Sequence, residues 1–152
     1  MIQSKELRIG NYVAIDGLLQ VVSEIRMQEN DTATEPLVGY LVEHTIQYAP
    51  LQDGSVQGVV LTDEVLKRCG FQFDTYFKLW KKMKQIQGTG VDMELDRDYS
   101  ALDFSHRPIL KDIQHLHHLQ NLYYALKRNE LPIDMMPNQK IPSKIDINVI
   151  HD

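Results

Sequence analysis

Apolar and polar positions alternate through much of the first fifty residues, the period of a strand buried on one face. Leu7, Ile9, Val13 and Ile15, with Asn11 among them, stand on one side of such a strand, and Arg8, Gly10, Tyr12 and Ala14 on the other. Leu18–Ile25 is a second stretch of this kind. Asp16-Gly17 between them favours a tight turn, because both residues tolerate positive φ. The pair predicts a β-hairpin over Leu7–Ile25. Met27–Pro36 is polar and turn-rich and reads as a loop. Leu37–Tyr48 alternates again, Val38, Tyr40, Val42, His44, Ile46 and Tyr48 against Leu37, Gly39, Leu41 and Glu43, and reads as a third strand bent at Gly39. Three such strands, with Gly10 early in the first, suggest the opening of a small SH3-like barrel.

Periodicity then changes. Val59–Leu61 reads as a short strand entering a helix capped by Thr62, with Asp63 and Glu64 suited to its positive end. Val65, Leu66 and Cys69 supply an apolar face, and Gly70 is placed to end the helix. Residues 74–86 fit a helix through Tyr76, Phe77, Leu79, Trp80, Met83 and Ile86, and a strand pair through Phe77, Leu79 and their aromatic density. Tyr76–Lys82 is assigned to strand, with helix as the alternative. Gly88-Thr89-Gly90 reads as a turn, Val91–Leu95 and Leu102–Phe104 as strands, and Ile109–Gln114 as extended chain. Leu116–Arg128 carries the clearest helical pattern of the sequence. Beyond it Pro132, Pro137 and Pro142 space out a tail over 132–152 with little helical potential, in which Ile145, Ile147 and Val149 alternate as an edge strand would.

The expected fold class is therefore α+β: an N-terminal antiparallel β unit, a short helix after Thr62, further strands, and an amphipathic C-terminal helix near 116–128. The 152 residues suit one domain, with a β-rich part over 1–58 and an α+β part over 59–131 as conceivable sub-units. A chain of this length buries roughly 70% of its unfolded surface and needs no metal or disulfide to fold.

Composition narrows the function classes. Twenty-one acidic against sixteen basic residues leave a net charge of −5. That argues against tight, sequence-independent binding to phosphate backbones. The lone cysteine, Cys69, excludes an intramolecular disulfide and a Cys-rich zinc site; it reads as a small core residue. No apolar run reaches the roughly 18 residues of a membrane span, and MIQSKELRIG lacks the pattern of a signal peptide. The expected location is cytoplasmic, with no membrane partner.

Candidate chemistry concentrates on the closing helix. At about 100° per residue, Leu116, Leu119, Leu122, Tyr123 and Leu126 fall on one arc. His117, Gln120, Asn121 and Tyr124 occupy the other face. A solvated helix face is usually Lys and Glu; this one is neutral and hydrogen-bonding until Lys127 and Arg128. It suits a binding face, or a small enzyme using His117 with Tyr124 or Asn121 for proton transfer. The favoured reading is a face that is itself buried, against the sheet or a second subunit, with its polar groups satisfied internally. His115 and His118, three apart, with Asp112 a turn earlier, supply only two metal ligands on one side where zinc takes three or four, so no metal and no cofactor is expected. Asp92, Glu94, Asp96 and Asp98 read as the charged side of an edge strand rather than a cation site. Lys78, Lys81, Lys82 and Lys84, interleaved with Tyr76, Phe77 and Trp80, form the nucleic-acid alternative. No phosphate-binding loop and no nucleophile elbow occurs.

Three stretches, LRIGNYV at Leu7–Val13, LTDEVLKRCGF at Leu61–Phe71 and IQHLHHLQNLYYALKRNEL at Ile113–Leu131, carry a resemblance to a family of small uncharacterised proteins from gut bacteria and their phages and mobile elements. Members of that family open with LRIGN-V, continue with LTxExLxxxGF and end near YLHxLQNLYFALTGEEL. The resemblance implies no activity. It marks His117, Leu119, Gln120, Asn121, Leu122, Tyr123, Ala125, Leu126, Glu130 and Leu131 as motif positions. His115 and His118 stand where the family has other residues, and Lys127-Arg128-Asn129 replaces its turn. The leading expectation is a non-enzymatic accessory or protein-binding module of phage or mobile-element origin. Its partner would be another protein, or a second copy met through the closing helix, in preference to nucleic acid; the sequence leaves a small-molecule ligand open.

Overall fold

Asp16 and Gly17 both take positive φ, 53° and 77°, and close the first hairpin as their residue types demand. They join β1 (Tyr12–Ile15) to β2 (Leu18–Glu29), with Ile15 opposite Leu18 and Tyr12 opposite Val21. The computed structural model describes residues 2–29, 34–84, 90–103 and 105–142. Gly88, Thr89, Phe104 and the alternating stretch Ile145–Ile150 lie outside the described residues.

Continuing along the chain are β3 (Thr34–Val42), β4 (Thr45–Pro50), β5 (Val56–Gly58), α1 (Asp63–Arg68), β6 (Phe71–Asp74), β7 (Leu79–Met83), β8 (Val91–Leu95), β9 (Ala101–Leu102), β10 (Pro108–Leu110) and α2 (Leu116–Lys127). The class is α+β, with two antiparallel five-stranded sheets among the described residues. The chain divides into two compact units. The first comprises the chain up to Val60, His115–Glu130 and Met136–Pro142; the second comprises Leu61–Gln114 and Leu131–Met135.

In the first unit the sheet order is β4-β3-β2-β1-β5. Among the described residues no closed barrel forms, which corrects the SH3-like expectation: β4 and β5 are the two ends of an open sheet. The stretch expected as one bent third strand is a hairpin. Glu43 and His44 both have positive φ, 50° and 70°, and turn β3 into β4 with Val42 opposite Thr45. Two consecutive non-glycine residues in left-handed geometry are uncommon, which is why alternation alone ran the strands together. One sheet face and the segments beside it bury Ile2, Leu7, Val13, Ile15, Val22, Val38, Ala49, Leu51 and Val56 in a single cluster. Each fully buried Val, Leu or Ile contributes about 1.5–3 kcal/mol.

The first strand begins later than the pattern predicts. Ser4–Glu6 forms a 3-10 turn, the Asn11 side chain accepts from the Arg8 amide at 2.7 Å, and Gly10 sits at φ 97°. A short polar side chain that satisfies nearby backbone competes with the ladder. The chain therefore loops through Leu7–Asn11, burying Leu7 and exposing Ile9. The proline-spaced tail is also structured where described. Leu19 exchanges backbone hydrogen bonds with Asn138 and Gln139, at 2.7 and 2.9 Å, and Gln20 donates to the Asn138 side chain at 2.9 Å.

In the second unit Thr62 caps α1 as its sequence position predicts, its hydroxyl accepting from the Val65 amide at 3.1 Å, and Gly70 follows at φ 87°. The sheet order is β10-β9-β8-β7-β6. Asp74 decides between helix and strand in residues 74–86 as far as they are described. Its carboxylate accepts from the amides of Tyr76 and Phe77, at 2.9 and 3.0 Å, and this turn joins two strands. Trp80 is buried in the second, edge-on to Phe73 at 5.3 Å.

Candidate functional site

The helix that closes the sequence pattern packs back on the first unit. Leu116 donates to Val59 at 2.8 Å to anchor its start, and Arg128, left-handed at φ 58°, donates to Tyr124 at 2.8 Å to end it. Leu116, Leu119 and Tyr123 are buried as the wheel predicts. The arc does not continue to its end, since Leu126 is 52% exposed. His117 and Gln120, from the polar face, are buried instead.

The polar face holds the N-terminal loop. The Gln120 side chain accepts from the Tyr12 amide at 2.8 Å and donates to the Gly10 carbonyl at 3.0 Å, so one amide serves both backbone groups as a neighbouring strand would. Asn121 donates to the Glu6 carbonyl at 2.8 Å and accepts from the Asn11 amide group at 2.9 Å and from Arg8 Nε at 3.3 Å. The Arg8 guanidinium forms a two-pronged ion pair with Glu130 and lies over the exposed Tyr124 ring at 4.3 Å. Residues of Leu7–Val13 and Ile113–Leu131, the first and last stretches of the family resemblance, thus meet in space.

This arrangement separates the four candidates. Gln120 and Asn121 direct their amides to the loop, and Tyr124 stacks beneath Arg8. His117 and Tyr124 are two turns apart, about 10 Å along the axis at 1.5 Å per residue. No hydrogen bond links the His117 ring to Tyr124 among the described residues.

His117 is the exception. Its ring is fully buried, and neither ring nitrogen has a hydrogen-bond partner among the described residues. A buried polar atom without a partner costs about 1–3 kcal/mol. Beside it stand Glu6, from the 3-10 turn, and His118. His118 Nε2 lies 2.9 Å from Glu6 Oε1, and His117 Nε2 lies 3.6 Å from the same oxygen, beyond hydrogen-bond length. Donor atoms of the three side chains all fall within 4.8 Å of one another. The other Glu6 oxygen accepts from the Gln3 amide at 2.8 Å, which turns Oε1 towards the histidines. That amide is the main reason the Glu6 carboxyl is held at about 2, with His118 and His117 adding to it against burial. Burial first, and the neighbouring His118 second, push His117 down to about 4. His115, three residues before His118, caps the helix by position and stacks on His117 at 5.7 Å. Asp112 is exposed at φ 63°. The donor set the structure assembles is therefore not the one the spacing suggested; Glu6 is 112 residues from His118, and no local signal ties them.

The other sequence candidates disperse. Lys82 is buried and pairs with Asp92 at 3.2 Å, and Lys81 pairs with Asp74 at 3.0 Å and lies over Phe77. The lysines therefore do not form one basic face. The acidic row ends with its strand: Glu94 meets His106 at 3.0 Å, and Asp96 and Asp98 accept from backbone amides in the following turn. Cys69 is buried, and burial pushes its thiol up to about 12.

One surface was not anticipated. β4 ends its sheet, pairs only with β3 among the described residues, and carries no charged side chain. Thr45–Tyr48 are exposed throughout. On the outer face, Ile46 lies opposite Leu41 and Tyr48 opposite Gly39. Leu41 is 51%, Ile46 43% and Tyr48 38% exposed. Arg26 lies over the Tyr48 ring at 4.9 Å, and the Tyr48 hydroxyl donates to Glu24 at 2.9 Å.

Compared with protein-family models, curated proteins and solved structures, the chain has no match in any of the three. No helix among the described residues is long and apolar enough to cross a membrane.

Proposed function

We propose that the protein is a non-enzymatic accessory module that binds another protein, and that β4 is the contact. The observation that carries this reading is the edge itself: six residues without a charge, with Ile46 and Tyr48 exposed beside Leu41. Folded proteins usually blunt such edges with lysine, proline, a bulge or a covering segment, because unpaired backbone groups recruit another strand, and β4 carries such a residue only at its last position, Pro50. An edge left plain suits strand addition, in which backbone hydrogen bonds give affinity and alternate side chains give selectivity. The partner segment would be extended, with apolar residues at alternate positions to cover Ile46 and Leu41. The family resemblance of the Leu7–Val13 and Ile113–Leu131 stretches supports a phage or mobile-element origin for the module.

The test is selection of binding peptides from a random library on the full chain, followed by amide hydrogen exchange. The expected result is added protection at Thr45–Tyr48 in the complex and at least about tenfold weaker binding by Ile46→Lys, with an unchanged circular dichroism spectrum. Selected peptides that protect only other segments, or that bind Ile46→Lys as well as the parent, would overturn it. A concentration-dependent rise in mass that Ile46→Lys abolishes would identify the partner as a second copy.

A further inference from the structure

We infer that Glu6, His117 and His118 form a binding site for a divalent transition-metal ion, zinc foremost. The site goes beyond the proposed binding role of β4 and does not depend on it. Two imidazoles and one carboxylate are a donor set that Zn2+ accepts, while magnesium and calcium prefer all-oxygen cages. With metal–donor bonds of about 2.0–2.2 Å, tetrahedral donors stand about 3.4 Å apart. Here His118 Nε2 and His117 Nε2 lie 2.9 and 3.6 Å from Glu6 Oε1, and all three donors lie within 4.8 Å of one another. The two separations from Glu6 Oε1 bracket that spacing.

The second observation is His117 itself. Buried polar groups in folded proteins almost always have a hydrogen-bond partner, yet this ring is sealed from solvent, neither nitrogen forms a hydrogen bond among the described residues, and Nε2 has only its 3.6 Å contact with Glu6. A metal ion supplies what Nε2 lacks. The carboxylate is already oriented for the task, because its second oxygen is fixed by the Gln3 amide; outer contacts of this kind hold metal ligands in place. His118 and Glu6 are 35% and 29% exposed at their side chains. The ion can therefore enter from that side and keep a water in its remaining position. Its effect is to clamp the Ser4–Glu6 turn onto the start of α2.

The experiment is calorimetric titration of the chelator-treated full chain with Zn2+, with Mg2+ as the control. X-ray absorption at the zinc edge of the loaded protein then identifies the donors. The expected result is one Zn2+ per chain, no response to Mg2+, and a first shell containing two imidazole nitrogens. Binding should weaken at least about tenfold in both Glu6→Gln and His118→Ala. Zn2+ should raise the melting temperature of the parent protein and not that of His118→Ala. His118 and Glu6 are partly exposed, so these variants are expected to fold where a His117 variant could collapse. The edge spectrum of the parent needs no variant. Absence of stoichiometric binding, a first shell without two imidazoles, or unchanged affinity in both variants would overturn the site.

Discussion

Replacing Gln120 with leucine tests whether the polar face of α2 is what holds the N-terminal loop. The side chain is buried, accepts from the Tyr12 amide at 2.8 Å and donates to the Gly10 carbonyl at 3.0 Å. Leucine has similar volume, so the change removes two hydrogen bonds without opening a large cavity. Each bond contributes about 1 kcal/mol net, and a buried group deprived of its partner costs about 1–3 kcal/mol. Added apolar burial offsets about 1 kcal/mol. The expected loss is about 3 kcal/mol, or about 6–12 °C in melting temperature for a chain of this length. Because the chain has two compact units, a global melt is not guaranteed to be two-state. The decisive measurement is therefore native-state exchange of the Tyr12 amide. It should accelerate in Gln120→Leu by more than amides of α1, in the other unit, do. Gln120→Glu keeps the acceptor for Tyr12, loses the donor to Gly10 and places a charge there, so it should also be destabilised. Unchanged Tyr12 exchange with a stability loss below about 0.5 kcal/mol would show that the clamp is incidental.

Three further outcomes follow from particular contacts. Gly58→Ala should destabilise the first unit by about 1–3 kcal/mol on urea titration, because an added Cβ would lie 2.5 Å from the His115 ring; a wild-type midpoint would mean the ring moves aside freely. Lys82→Ala should cost about 3 kcal/mol, since it leaves Asp92 without its buried lysine partner; denaturation unchanged within error would place that pair in effective contact with water. Cys69, its thiol raised to about 12 by burial, should resist iodoacetamide at pH 8 in the folded protein and react on unfolding, because only the thiolate attacks; rapid native labelling, read by mass spectrometry, would contradict its burial.

Local chemistry was legible wherever one residue type has one geometric use. Asp16-Gly17 announced its turn, Thr62 its helix cap, Gly70 the helix end, and the leucines from Leu116 onward the closing helix. Reading failed where a side chain acts on backbone a few residues away. Asn11 and Gly10 turn the chain where alternation predicts a strand, and Asp74 builds a hairpin where aromatic spacing also allowed a helix. Glu43 and His44 adopt left-handed geometry that neither residue type advertises, so one predicted strand became two.

The polar face of α2 shows the division most clearly. Its composition by itself marked His117, Gln120, Asn121 and Tyr124 as unusual, because water-facing helices seldom carry so many neutral hydrogen-bonding groups. What they bond to was decided only in three dimensions. Gln120 and Asn121 meet a loop more than a hundred residues earlier, and the carboxylate that joins His117 and His118 comes from Glu6, in the same loop. Helical period reports which residues share a face, since that is set by local backbone geometry. Which distant group the face meets depends on how the chain closes over the whole unit. The histidine spacing offered His115 with His118, whereas the fold sets His117 and His118 beside Glu6.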